Sequence, residues 1–252
     1  MLLALTSGCA TQQLPPGQPP MGKVPDRSGT PRHDGHASAW PLAPLAMLEG
    51  RWIGVPARSG VRWLDAAALR AAWAAARRVE AATPGARPQY LLIDDPSANA
   101  FALRTADGGM IGINIGMVEL LGADEPAWAA LIGHELAHLN LRHSDQRRSR
   151  QNETDGMVAI ASMLLTAVGF PLVPLLAEMA SNVAEKGYSR DDERAADEAG
   201  IAYMRRAGYD PEGAVRFFEK LGGTGQSPRF AFLSTHPDSA DRVAAARALA
   251  ER

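Results

Sequence analysis

Apolar residues recur at helical spacing over residues 63–82, a stretch rich in Ala, Leu and Arg, and Thr83-Pro84-Gly85 ends the pattern; this predicts a helix. The period then shortens. Residues 90–93 form a short apolar run closed by Asp94-Asp95-Pro96, and the runs 101–105 and 110–115 follow on either side of Asp107-Gly108-Gly109. Two runs around a Gly-containing turn predict a β-hairpin, with residues 90–93 as its neighbouring strand in a small, open-edged sheet. A second helix starts at Asp124 or Glu125, with Pro126 in its first turn where a missing N–H costs nothing, and runs to about Leu141. After it come a charged stretch, 142–155, and an uncharged one, 156–177. Further helices are predicted from Arg190 to Arg206, closed by Gly208, from Asp210-Pro211, and from near Pro237 to the C-terminus. The pattern is α+β and mainly helical, with one small sheet inserted early.

Before residue 45 the pattern changes character. Residues 1–9 read MLLALTSGC, which resembles the end of a bacterial lipoprotein signal in which Cys9 becomes the lipidated first residue. Residues 10–44 are a Pro-, Gly- and Ser-rich mixture and read as a flexible tether, leaving 45–252 as one folded domain. His33 and His36 in the tether read as solvated. The charge balance, 26 Lys and Arg against 28 Asp and Glu, supplies no field for nucleic acid. Cys9 is the only cysteine, so an intrachain disulfide and a multi-thiolate zinc site are both excluded. A metal here must be held by histidine and carboxylate.

Residues 133–138 supply such ligands: Gly-His-Glu-Leu-Ala-His puts His134 and His138 four apart on one face of a predicted helix, so both imidazoles reach one zinc ion. Glu135, next to the first ligand, can contact a metal-bound water without entering the coordination shell. A third histidine six residues on would extend the motif, but Ser144 stands there. His143, turned about 140° away on a continuing helix, reads as a structural residue or one that supports a ligand from behind. Glu193 is the better third ligand. It shares a helix face with Asp197, Ala195 and Ala196 between them permit close helix approach, and Asp197 is placed to hydrogen-bond a ligating imidazole. The competing reading of this segment is a solvated charged face.

Taken in order, Asn99-Ala100-Phe101, Gly133 to His138 followed by Arg142-His143, Ser189-Arg190 leading into Glu193 to Asp197, and His236-Pro237 with Arg242 resemble the zinc metallopeptidases of peptidase family M48. The resemblance implies a zincin-like, gluzincin fold, one Zn2+ per chain held by His134, His138 and Glu193, and Glu135 as general base. It also puts His236 near the active site and Arg242, like Asp197 and His143, behind the ligands. His236 would donate to the oxyanion of the reacting carbonyl, or take the fourth zinc position in a resting state. The implied reaction is hydrolysis of peptide bonds in unfolded or misassembled cell-envelope proteins by a lipid-anchored periplasmic enzyme. The alternative is a chaperone-like peptide-binding module, against which Glu135 speaks, since holding a peptide needs no general base. The strand containing Ile111, Gly112, Ile113 and Asn114 is predicted to offer a free edge to an extended peptide. The apolar run 156–177 is long enough to span a bilayer, yet a single crossing would separate the histidines from Glu193 by about 30 Å of hydrocarbon, so it reads as packed on the core or dipping into the membrane interface.

Overall fold

The computed structural model describes residues 39–57, 60–105, 108–145, 188–222, 232–236 and 239–251. Cys9, His33, His36 and the apolar run 156–177 lie outside the described residues. Among those described, no helix is long and apolar enough to cross a membrane.

The chain opens with strand β1 (Ala39–Pro41) and a short helix α1 (Leu42–Ala46). Trp40, Leu42 and Leu45 are buried in the core, so the folded body takes in residues that composition assigns to the tether. A hairpin follows, β2 (Trp52–Ala57) against β3 (Gly60–Asp65), with Trp52 opposite Asp65. Residues 63–65 therefore belong to a strand, and helix α2 covers Ala66–Ala82. The helical spacing overran because Trp63 and Leu64 suit either period; pairing with β2 decides for the strand, and Asp65 starts the helix by accepting a hydrogen bond from the Ala67 N–H at 2.7 Å.

The predicted sheet is present, with a different edge. Strands β4 (Gln89–Ile93), β5 (Ala100–Leu103) and β6 (Met110–Asn114) join β1 in the order β1-β4-β6-β5. Strand β6 pairs parallel with β4 and antiparallel with β5. Both its sides are bonded and all five of its residues are buried, so Ile111, Gly112, Ile113 and Asn114 offer no free edge. An outer strand of the sheet on this side is β5. The turn before β6 uses Gly108 and Gly109, both at positive φ (113° and 125°), a backbone region that side chains disfavour.

A short helix, α3 (Ile115–Leu121), leads from β6 into α4 (Glu125–Asn140). Asp124 caps α4, its carboxylate accepting from the Ala127 N–H at 3.2 Å. Every residue from Ala127 to Leu139 is buried, the signature of a helix covered on all sides. Helices α2, α5 (Arg190–Arg206) and α6 (Glu212–Gly222) and strand β5 pack around it. The fully buried Trp128 anchors it, with its indole N–H donating to the Gly122 carbonyl at 2.8 Å; truncating such a ring to alanine costs about 3–5 kcal/mol. The short helix α7 (Phe232–Thr235) and the helix α8 (Ser239–Ala250) complete the fold.

The crossing of α4 and α5 positions the site. A Cβ on Gly133 would stand 2.6 Å from the Gly200 carbonyl oxygen, and a Cβ on Gly200 would stand 2.7 Å from the His134 nitrogen. Two facing glycines thus bring the backbones together, within reach of short carboxylate side chains on α5.

Candidate metal centre

Helix α4 carries His134 and His138 one turn apart, and their Nε2 atoms converge to 3.0 Å. Helix α5 begins with a capping box in which Ser189 accepts from the Asp192 N–H and Asp192 accepts from the Ser189 N–H, which fixes the first turn carrying Glu193. Glu193 Oε1 lies 3.3 Å from His138 Nε2, and Oε2 lies 3.5 Å from His134 Nε2. His236, directly after α7, places Nδ1 2.9 Å from Glu193 Oε1 and 3.1 Å from His134 Nε2. One donor atom from each of these four buried residues lies within 4.8 Å of the others.

These separations suit a zinc ion. Nitrogen and oxygen donors about 2.0–2.1 Å from a tetrahedral zinc stand about 3.4 Å apart, and imidazole with carboxylate is a donor set that zinc favours. A second observation points the same way. Glu135 is fully buried and neither of its carboxylate oxygens has a hydrogen-bond partner among the described residues; His236 Nε2 lies 3.6 Å from its Oε1. Buried polar atoms are ordinarily paired, so the pocket fits a further polar species between Glu135 and the converging donors.

The electrostatics divide the carboxylates. Burial pushes the Glu135 carboxyl above its ordinary range, with His236 and His134 only partly offsetting it. Burial acts the same way on Glu193, but His236 and His134 and the hydrogen bonds from the rings of His138 and His236 outweigh it and hold Glu193 well below the usual range. Burial, then the proximity of His134, keeps His138 well below the ordinary imidazole value, which favours the neutral ring that a metal needs. Burial opposes the charged form of His236, yet the carboxylates of Glu193 and Glu135 raise it.

Behind the donors stands a second layer. Asp197 Oδ1 lies 2.9 Å from His134 Nδ1, as its spacing from Glu193 predicts. Arg242, buried on α8, donates to both oxygens of Asp197 at 2.7 and 2.5 Å and places Nη1 2.9 Å from Glu193 Oε2. Its guanidinium also lies 4.6 Å from the centre of the Phe218 ring. His143 is nearer than a continuing helix allows. Helix α4 stops at Asn140, Arg142 takes a positive φ of 58°, and the chain turns back to bring His143 Nδ1 2.9 Å from His138 Nδ1. Sequence reasoning missed Tyr188, whose ring stacks on His138 at 3.8 Å and 17°, and Phe232, which stacks on His236 at 4.2 Å and 18°. A lone aromatic beside a motif carries no periodic signal. Of the predicted site residues, the structure gathers His134, Glu135, His138, His143, Glu193, Asp197, His236 and Arg242 into one cluster; the residues of β6 pair within the sheet, and Cys9 is outside the description.

Comparison with known proteins agrees with this geometry. The chain is 30% identical over 154 residues to the mitochondrial metalloendopeptidase OMA1 of Arabidopsis thaliana, covering 61% of this chain and 30% of that protein. It is 29% identical over 169 residues to the beta-barrel assembly-enhancing protease of Escherichia coli (strain K12), covering 63% of this chain and 33% of the relative. Similarity to the metalloprotease LoiP of the same organism is 26% over 145 residues, covering 58% and 56%. The chain thus spans between about a third and about half of the length of these relatives. The sequence model of peptidase family M48 matches residues 61–250, which include every donor of the cluster. With two imidazoles and a carboxylate converging beside a glutamate that has no hydrogen-bond partner among the described residues, and with that match along most of its length, the chain belongs to peptidase family M48.

Proposed function

We propose that the protein is a zinc-dependent endopeptidase in which His134, His138 and Glu193 hold the ion and Glu135 is the general base. The single observation that carries this reading is the convergence of three ring nitrogens and one carboxylate beside a buried carboxylate with no hydrogen-bond partner among the described residues. Zinc bound there would act as a Lewis acid, polarising the scissile carbonyl and lowering the pKa of water. Glu135 takes a proton from the attacking water on one carboxylate oxygen and later delivers it to the leaving nitrogen. Burial raises its pKa, the direction that makes a carboxylate a better proton acceptor. Asp197 accepts the Nδ1 proton of His134, which leaves Nε2 as the donor atom, and Arg242 holds Asp197 in place.

His236 occupies a donor position in this arrangement, with Nδ1 among the ligand atoms and Nε2 towards Glu135. This favours the reading in which it fills the fourth place at rest and moves aside for substrate, where its ring is near enough to donate to the oxyanion. An extended peptide docks along β5, the outer strand next to α4, rather than along the inner β6. Backbone pairing of that kind favours unfolded or misassembled chains. We place those substrates in the cell envelope, with the enzyme tethered through a lipidated Cys9, on the N-terminal sequence and on the name of the beta-barrel assembly-enhancing relative.

Cleavage of an unfolded probe such as casein tests the reading. The zinc-loaded protein is expected to cleave it, and Glu135→Gln to lower the rate by about 10²–10⁴-fold while binding zinc normally. Equal cleavage by the two proteins would rule Glu135 out as the base, and zinc-loaded protein that binds casein without cutting it would favour the chaperone-like alternative.

A further inference from the structure

We propose that His143 is a positioning residue: it accepts the Nδ1 proton of His138 and thereby holds that ring with Nε2 aimed at the metal, while Asp192 keeps His143 in the tautomer this requires. The inference rests on the zinc-site reading above and assigns roles to two residues behind it.

The proton arithmetic is forced by distance. Two Nδ1 atoms stand 2.9 Å apart, and a hydrogen bond of that length needs one proton between two nitrogens. His138 turns its Nε2 towards His134 and Glu193, so as a ligand it carries its proton on Nδ1 and must be the donor. His143 then accepts on Nδ1, and as a neutral ring it bears its own proton on Nε2. On that side of the ring lies Asp192 Oδ1, at 3.9 Å, beyond a direct hydrogen bond but within reach of an electrostatic preference for the Nε2–H tautomer.

Local structure explains how these groups meet. The end of α4 at Asn140 and the positive φ of Arg142 fold His143 back under the helix it has just left. Asp192 is held by the capping box of α5, with Oδ2 accepting from the Ser189 N–H at 3.3 Å and Oδ1 3.9 Å from His143 Nε2. One helix start thus sends Glu193 forward to the ion and Asp192 to the ring behind it. The Tyr188 ring covers a face of His138, so stacking fixes the plane of the imidazole and His143 fixes its rotation within that plane. The two ligating imidazoles are therefore held differently, His134 by a carboxylate paired to Arg242 and His138 by a neutral ring.

The test measures zinc affinity by chelator competition, with the visible spectrum of the cobalt-substituted protein as a second readout. His143→Phe keeps a ring and removes the acceptor; it should weaken zinc binding by about 10–100-fold and alter the cobalt bands. His143→Asn, which keeps an acceptor oxygen near the position of Nδ1, should recover most of the affinity. Where His143→Phe does not fold, His143→Ala takes its place against His143→Asn. Wild-type affinity in a folded acceptor-free variant, or no recovery in a folded His143→Asn, overturns the proposal. A wild-type protein that binds no zinc overturns the metal-site reading and this inference together, whereas tight wild-type binding with an indifferent His143 overturns this inference alone.

Discussion

Asp124 and Glu135 are carboxylates on the same central helix, one at its cap and the other in its middle, and their surroundings are opposite. Asp124 accepts from the Ala127 N–H and from the partly exposed side chains of Arg216 and Lys220. Glu135 is buried without a hydrogen-bond partner among the described residues. Partial burial nudges Asp124 up, but Arg216 and Lys220 outweigh it and hold the carboxyl below its ordinary value, whereas burial drives Glu135 up. The first carboxylate stabilises the folded chain and the second works against it. A group that opposes folding and has a site around it is a group retained for chemistry.

The largest test of that contrast removes the charge that balances the buried end. Arg242→Ala leaves Asp197 and Glu193 buried without their cation, and urea unfolding of the metal-free protein should show a loss of about 3–5 kcal/mol. A loss no larger than that of an exposed ion pair would mean that the buried network is not held by Arg242.

Next in size is a gain. Glu135→Met replaces an unpartnered buried carboxylate by an apolar side chain of similar shape, and should stabilise the metal-free protein by about 1–3 kcal/mol while abolishing cleavage. Because the folded pKa is raised, the wild-type penalty is absent at low pH, where both states are protonated, and grows as pH rises above the unfolded carboxyl value of about 4.3. The advantage of the variant should therefore shrink in acid. An advantage that does not vary with pH would assign it to packing instead of charge.

The smallest effect has the opposite pH dependence. Asp124→Asn keeps a capping oxygen but removes the charge paired with Arg216 and Lys220, and should cost about 0.5–1 kcal/mol at neutral pH. The folded pKa of Asp124 is lowered, so its contribution is fully present above the unfolded value of about 3.9 and is lost as pH falls through the folded one. Thermal unfolding of both proteins across that range should show the two curves converging in acid. A constant gap would show that the charge of the carboxylate is not what the substitution removes.

Legibility in the sequence followed the range of the interaction. The spacing of His134 and His138 and the acidic pair at Glu193 and Asp197 were readable because a helix fixes which residues share a face within one turn. The overrun at residues 63–65 and the inner position of β6 were not, because both depend on strands paired across the chain, β2 with β3 and β4 with β6. His143 reads as a structural residue or one that supports a ligand from behind, but which ligand it meets is not legible, because the helical pattern does not show the chain reversal at Arg142. Its contact with His138 is a product of that reversal.

By itself the sequence determined the central helix, the two imidazoles on it, the adjacent glutamate and the later carboxylate, since each follows from local spacing and residue chemistry. The tertiary structure decided which carboxylate would be left without a partner, which cation would balance the others, and how His143 and His236 would approach the same pair of rings. Distances between separate elements arise from packing, here from the facing glycines of α4 and α5 and from the short helix before His236, and no local pattern encodes them.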